Sequence, residues 1–334
     1  MTNNTALITG GAGFIGTNLV LYLAKNGWQI TLLDNLSRLG TKNNLDFIKK
    51  NVSGKLLKIV IGDVRDKKIS KLVNADVVFH LAGQTAVTTS VVNPAHDFDV
   101  NAFGTFNMLE AVRAKNPKAV FIYPSTNKVY GSLDHLTPKD FKQGVNESMN
   151  LDFHSPYGVS KGVADAYTKD YARIYNLSTV VFRQSCIYGL YQLGVEDQGW
   201  VAHIGAKAMF KKHVNIFGDG NQVRDLLFVD DLIEAYMASI KNIKKVSGQV
   251  FNIGGGVKNA LSVNDYLDFL KTNTNKKLLT RHFKVRPGDQ EYFVSDNTKA
   301  KKMLGWVPQT SYKKGLPIML SWIKENKNLF DSFV

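Results

Sequence analysis

Cysteine is almost absent: Cys186 is the only one among 334 residues. No intramolecular disulfide can therefore hold the fold, and a reducing cytoplasm is the expected setting. Long apolar runs are missing too, and none approaches the ~20 residues that a helix crossing a bilayer needs. The first residues, Met1-Thr2-Asn3-Asn4-Thr5, have neither the basic start nor the apolar core of a signal peptide. The seven histidines show no His-Glu-x-x-His or comparable ligand spacing, so no metal is expected. Internal repeats, low-complexity tracts and a long linker are also lacking.

Acidic residues are in deficit. Lys and Arg number 42 against 28 Asp and Glu, a net charge of +14. The cations are scattered, with only short clusters such as Lys49-Lys50 and Lys67-Lys68. No basic stripe interleaved with aromatics is present, so nucleic acid is not expected as a partner. An anionic small-molecule substrate accounts for the balance more simply. Hydrophobic content of 44% and charged content of 21% suit a soluble globular protein, and the length suggests about two domains.

What is present begins at the N-terminus. Ala6-Leu7-Ile8-Thr9 reads as a strand, Gly10 to Gly16 as a turn, and Thr17 to Asn26 as a helix. Glycines at 10, 13 and 16 permit a tight turn, close approach of backbone to a pyrophosphate, and close helix-strand packing. The helix N-terminus then faces the phosphates. A second strand, Ile30 to Leu33, ends at Asp34, where a carboxylate can accept from adenosine ribose hydroxyls and repel a 2′-phosphate. That favours NAD over NADP, although Arg38 nearby could hold such a phosphate. Further strands are expected at 56–61, 77–81, 120–123 and 179–183, alternating with helices that include 101–113 and 157–176. The fold class is α/β: a doubly wound parallel Rossmann-type sheet with a smaller C-terminal lobe. Residues 1–183 form the NAD-binding domain, completed by 225–256, and 184–334 form mainly the substrate lobe. His80, within the fourth strand, reads as a packed histidine.

The carboxyl ends of the strands set the cofactor surface: Gly10, Gly13, Phe14, Ile15, Gly16, Asp34, Asn35, Ser37, Arg38, Asp63, Val64, Leu81, Ala82, Gly83 and Asn101. Thr126 falls at the end of the fifth strand, near the reacting centre. His154-Ser155-Pro156-Tyr157-Gly158-Val159-Ser160-Lys161 then opens a helix on which Tyr157 and Lys161, four apart, share a face. An ammonium beside a phenol is expected to lower the phenol's pKa toward neutrality, giving an acid/base for a sugar hydroxyl. A bare Tyr-x-x-x-Lys is more often an exposed pair on an ordinary helix, and the upstream cofactor loop is what reverses that reading.

Thr-Gly-Gly-Ala-Gly-Phe-Ile-Gly at 9–16, Asp34, His-Leu-Ala-Gly at 80–83, Asn101, Ser125-Thr126, Tyr157-x-x-x-Lys161 and Gly218-Asp219-Gly220-x-Gln222-x-Arg224-Asp225 together resemble the extended short-chain dehydrogenase/reductases of the nucleotide-sugar epimerase and dehydratase group. The resemblance spans nearly the whole chain. It implies Thr126 as the hydroxyl that bonds the reacting group, Tyr157 as acid/base, and Lys161 on the nicotinamide ribose. It implies Arg224 and Arg286 on the substrate's diphosphate, and Asn101 beneath the active-site helix. The substrate contacts it suggests are Gln84, Thr126, Asn127, Gln198, Gln222, Arg224 and Arg286.

Dehydratases of the group carry Asp-Glu directly after the threonine, whereas this chain has Asn127-Lys128. Neither can serve as that carboxylic acid pair, so dehydration is discarded. The segments 35–38, 83–84, 88–90, 125–131, 151–157 and 197–200 resemble members that invert C2 of a CDP-linked dideoxyhexose, so a nucleotide sugar, with CDP favoured, is the expected substrate. Other readings stay open: a UDP-hexose 4-epimerase, another reductase of the group, or a silent NAD-binding regulator. Gln184-Ser185-Cys186 departs from the asparagine that many relatives carry after the sixth-strand arginine, and the 130–151 loop is short. By resemblance, a homodimer or homotetramer through helices 101–113 and 157–176 is expected.

Overall fold

The computed structural model describes residues 4–137, 144–210, 212–274, 278–286 and 288–331. The first three N-terminal residues and part of the 130–151 loop, both used above, lie outside the described residues. The N-terminal half alternates as expected: β1 (Thr5–Thr9), α1 (Phe14–Lys25), β2 (Gln29–Asp34), α2 (Thr41–Asn51), β3 (Leu57–Ile61), β4 (Val77–His80), α3 (Val87–Val92), α4 (Pro94–Phe98), α5 (Gly104–Lys115), β5 (Val120–Thr126), α6 (Pro156–Tyr175) and β6 (Ser178–Gln184). The second half holds β7 (Cys186–Tyr188), α7 (Trp200–Met209), β8 (His213–Phe217), β9 (Val223–Phe228), α8 (Val229–Lys241), β10 (Gln249–Ile253), β11 (Ala260–Ser262), α9 (Val263–Thr274), β12 (Leu279–Phe283), β13 (Tyr292–Phe293), α10 (Thr298–Leu304) and α11 (Tyr312–Glu325).

Seven strands form one parallel sheet in the order β10-β6-β5-β4-β1-β2-β3. Its strands are near-continuous apolar runs because helices cover both faces. On one face Leu19, Leu23, Leu232 and Tyr236 bring α1 and α8 onto it; on the other, Met108, Val112, Ala164 and Tyr171 bring α5 and α6. A third core, with Val201, Ile204, Tyr266, Leu316 and Met319, fills the C-terminal lobe.

β10 pairs with β6 and completes the large sheet. β9, read above as belonging to the same domain, pairs instead with β7, β11 and β13 in a separate small sheet. β5 also runs past the expected end at Tyr123: Pro124, Ser125 and Thr126 stay in register with Phe182, Arg183 and Gln184. Pro124 is tolerated because the other residues keep the ladder, and the extension carries Thr126 to the strand's carboxyl end. The lobe also contains β7, β8, β12, β13 and α11, for which no expectation was drawn; several are strands of two to five residues, too short for a period-2 pattern to register.

Two local devices position the site helices. Ser155 caps α6 by accepting from the Gly158 amide at 3.1 Å, Pro156 occupies the first turn, and Asn176 closes the helix in the left-handed region. Between α4 and α5, Asp99–Phe103 widens into a single π turn. Such turns are frequent at functional positions, and this one contains Asn101.

Candidate active site

A cleft of about 480 Å³ opens at the carboxyl ends of the central strands. It is lined by Gly10, Gly13, Phe14, Ile15, Gly16, Asp34, Asn35, Ser37, Arg38, Asp63, Val64, Leu81, Ala82 and Gly83, and toward α6 by Gln84, Thr126, Tyr157 and Lys161. The loop before α7 adds Gln198. Fourteen of the fifteen residues assigned to the cofactor surface before α6 are thus brought together. The fifteenth, Asn101, is buried behind them.

The glycine loop is a cradle that side chains would fill. Gly10 has φ 67°, and a Cβ there would stand 2.7 Å from the Ala82 amide nitrogen; one on Gly16 would stand 2.3 Å from the Gly10 carbonyl oxygen. Gly13 begins α1 without a side-chain cap, so the helix's first amides face the cleft. Asp34 closes the far side, accepting from the amides of Ala12 (3.0 Å) and Leu36 (2.8 Å). Burial raises its pKa, while the two amides pull it back down. These features fit a dinucleotide: a phosphate seat at a helix N-terminus and an acid at the second strand's end. Asp63 is held well below the usual carboxylate range by its fork with Arg65, and it also accepts from Asn35 Nδ2 at 2.8 Å.

Tyr157, Thr126 and Lys161 meet at the inner end of the cleft. The Thr126 hydroxyl stands beside the Tyr157 phenol and acts to lower its pKa, and the same oxygen accepts from the Lys128 amide at 3.2 Å. The amide of Tyr157 is anchored on Ser90 Oγ at 3.1 Å. Lys161 behaves differently from expectation. Its Nζ donates to the Pro124 carbonyl at 2.6 Å and lies 4.3 Å from the Tyr123 ring centroid. No hydrogen bond joins it to the Tyr157 phenol among the described residues. Burial lowers Lys161 to about 7, against support from Asp165 and Asp97. The phenol stands at about 12, raised by its own burial and by the Asp97 charge, with the Thr126 hydroxyl and the Arg38 charge as the counterweights. The predicted depression by lysine is corrected to a phenol that is protonated in this state.

Asn101 packs beneath α6, behind the cleft. Its Oδ1 accepts from the Gln84 amide at 2.9 Å, and its Nδ2 donates to Asp97 at 3.2 Å and Ser160 at 3.1 Å. Asp97 also accepts from the Ser160 hydroxyl, so α4, the π turn and α6 share one buried network. Asp97 was not singled out from sequence; its four-residue spacing from Asn101 was the available signal. His80 is enclosed between Thr9 and Thr105 (2.9 and 3.1 Å) and lowered by burial to about 3, as a packed, neutral histidine.

The substrate residues divide. Gln84, Thr126 and Gln198 line the cleft. The Arg38 guanidinium bonds Thr85 Oγ1 and Gln198 Oε1, tying the loop before α7 to the sheet. Asn127, Gln222, Arg224 and Arg286 stand outside the cleft wall. Asn127 Nδ2 donates to Gln290 Oε1 at 2.9 Å. Gln222 bonds the Phe217 carbonyl and closes its own turn. Arg224 pairs with Asp289 at 2.9 Å. Arg286 lies 3.6 Å over the Phe217 ring and contacts the Glu196 carbonyl (3.0 Å) and carboxylate (3.2 Å). Thr85, Gln192 and Ser185 also line the cleft; Thr85 and Gln192 carry no motif that sequence reading could use. No cluster of potential metal ligands occurs among the described residues, and none of the described helices is long and apolar enough to cross a membrane.

A family model described as GDP-mannose 4,6 dehydratase matches residues 7–319. A CDP-paratose 2-epimerase from Salmonella typhi is 42% identical, with 95% of this chain and 98% of that protein covered. Among solved structures, a UDP-glucose 4-epimerase from Thermotoga maritima with UDP-glucose superposes with a TM-score of 0.85 at 30% identity, covering 97% and 99% of the two chains. A UDP-glucuronic acid 4-epimerase from Bacillus cereus, in complex with UDP-glucuronic acid and NAD, gives a TM-score of 0.85 at 28% identity, covering 96% and 99%.

Proposed function

Because the chain belongs to the GDP-mannose 4,6 dehydratase family, within which epimerases and dehydratases share one scaffold, we propose that it is an NAD-dependent nucleotide-sugar epimerase that inverts C2 of a CDP-linked dideoxyhexose. The observation that carries the choice of epimerisation over dehydration is the pair after the catalytic threonine. Asn127 and Lys128 are engaged with Gln290, Gly288 and Asp289, and neither can supply the carboxylic acid that water loss requires. The 42% identity to a CDP-paratose 2-epimerase supports C2 and the cytidine nucleotide.

NAD, when bound, supplies the acceptor and donor of the hydride. The glycine loop and the start of α1 would hold its phosphates, and Asp34 its adenosine ribose. Tyr157 takes the proton of the C2 hydroxyl as the carbon is oxidised to a ketone and returns it after the other face has been presented. Thr126 fixes that oxygen beside the phenol. Lys161 holds the end of β5 through Pro124, and its charge aids the phenolate once the site is filled. C2 of a simple deoxysugar has no neighbouring carbonyl, so its hydrogen is not acidic and hydride transfer at C2 is the direct route. Cofactor binding falls to 1–183 with α8 and β10, and substrate binding to the remainder.

The chain acts in the cytoplasm as a homodimer. Support comes from the exposed apolar residues on the π turn and the neighbouring helices: Phe98, Phe103, Tyr167 and Ile174. Incubation with CDP-tyvelose and, separately, UDP-galactose tests the reading. C2 epimerisation of the first with retention of a C2 deuterium is expected, and Tyr157→Phe should lower turnover by about 10²–10⁴-fold. Full washout of the deuterium into solvent sinks the hydride route. Conversion of the UDP sugar alone moves the assignment to a 4-epimerase.

A further inference from the structure

Asp97, on the short helix α4, is fully enclosed. Among the described residues its hydrogen bonds are to neutral groups only: Oδ1 accepts from Asn101 Nδ2 at 3.2 Å, and Oδ2 accepts from the Ser160 hydroxyl. The start of α4 is built to bring it there. Asn93 caps the first turn by accepting from the His96 amide at 3.1 Å, and Pro94 follows at the first helical position. Ser160 lies between Tyr157 and Lys161 on α6, and its hydroxyl also contacts the Tyr157 carbonyl at 3.2 Å. Asp97 therefore reaches α6 at the turn that carries both reacting side chains, without itself lining the cleft.

Hydrogen bonding alone does not call for an acid here. An asparagine could accept from Asn101 and donate to the Ser160 oxygen, and Asn101 already bonds Ser160 directly at 3.1 Å. A buried carboxylate without a bonded cation is costly, so its charge needs an account. Asp165, the other acid acting on Lys161, is taken by Arg183 through Nε and Nη2 at 2.8 and 3.1 Å. The titratable groups that face Asp97 are His96 on its own helix, Lys161 and Tyr157 on α6, and Tyr123 on β5, which burial keeps protonated. From the π turn Asn101 brings only an amide. Burial raises the pKa of Asp97, against the Ser160 bond and the charges of Lys161 and His96. In return its charge, after that of Asp165, supports the Lys161 ammonium against burial, and it adds to burial in raising the Tyr157 phenol. Both effects have one sign: each group keeps its proton to higher pH.

We propose that Asp97 is a positioning residue for proton transfer at Tyr157: it holds Ser160 and Asn101 beneath α6, and its negative charge sets the pH range over which Tyr157 and Lys161 work as a pair. The proposal rests on the acid/base reading of Tyr157 above. Turnover fails at low pH, where the phenol cannot give up its proton, and at high pH, where the ammonium that aids the phenolate is lost. An anion behind both side chains moves the two limits upward together.

The test compares the full-length wild type with Asp97→Asn and Asp97→Ala. The pH dependence of kcat is measured with NAD and whichever of CDP-tyvelose and UDP-galactose the protein epimerises. Alongside it, the Lys161 titration is followed by NMR of protein labelled with ¹³C at the lysine ε carbons, assigned with Lys161→Met. Both variants remove the charge, so in both the two limbs of the profile should move to lower pH by roughly one unit. Lys161, at about 7 in the wild type, should titrate lower as well. Asparagine keeps the size and the hydrogen bonds and should melt close to the wild type; alanine loses them and should melt lower. A merely structural role would lower kcat and melting temperature in Asp97→Ala and leave the limbs of both variants in place, and that result would overturn the proposal. So would limbs that move in opposite directions. If the wild type turns over neither sugar, the epimerase reading falls by itself and the Lys161 titration decides: an unmoved value in Asp97→Asn overturns the proposal, and a lowered one upholds the charge coupling.

Discussion

Replacing Asp165 with asparagine tests how α6 is held. Asp165 lies on α6, one turn beyond Lys161, and makes a two-pronged ion pair with Arg183 of β6: Nε to Oδ2 at 2.8 Å and Nη2 to Oδ1 at 3.1 Å. Both side chains are almost wholly enclosed, at 7% and 2% exposure. Arg183 also donates to the Tyr130 hydroxyl at 2.9 Å, which in turn donates to Asn252 on β10. Asparagine is nearly the same size, so the substitution leaves no cavity; it leaves a buried guanidinium without its counter-charge. Breaking one partner of a buried pair costs about 3–5 kcal/mol. For a chain of this size that is a fall in melting temperature of roughly 4–7 °C. A second effect follows, because Asp165 is the largest charge supporting the Lys161 ammonium against burial at about 7. Its removal should move that ionisation to lower pH, and the pH dependence of turnover with it. Thermal melts by circular dichroism and pH-rate profiles on the same preparation check both effects. A variant that melts within about 2 °C of the wild type would refute the claim that this pair holds α6 against β6.

Two further substitutions bear on the cofactor end and on Lys161. Gly16→Ala would bring a methyl group to 2.3 Å from the Gly10 carbonyl, so the purified variant is expected to lose bound NAD, read from the absorbance spectrum, and to melt lower. For Lys161, the folded value of about 7 lies below the ordinary lysine value of 10.5. Between those two values the unfolded chain binds more protons, so folding gains stability as pH rises through that window and carries the full cost of the buried charge below it. Lys161→Met should therefore exceed the wild type in melting temperature most clearly near pH 6, with the gap narrowing toward pH 10; a pH-independent gap would show that the ammonium is not desolvated.

The sequence alone determined what depends on local chemistry. The glycines at 10, 13 and 16, the acid at 34 and the strand-helix alternation each follow from contacts within a few residues, and all proved to belong to one cleft. The same holds for the Ser155–Pro156 start of α6 and for His80 as a packed side chain. Identity of residue also sufficed to exclude a dehydratase's acid pair, since Asn127 and Lys128 carry no carboxylic acid in any fold. Tertiary structure decided the rest, because it depends on which distant segments meet. That β9 leaves the large sheet for the small one is set by its partners β7, β11 and β13. The state of Tyr157 and Lys161 is set by enclosure: spacing on a helix predicts a shared face, but the Pro124 carbonyl takes the ammonium and burial holds the phenol protonated. Likewise Arg224 and Arg286, legible as arginines in motifs, gain their meaning only from Asp289, Lys128 and Glu196, which lie up to about a hundred residues away in the chain. Desolvation and long-range pairing have no signature in a local window of sequence, and they are what fix the charges with which this site meets its substrate.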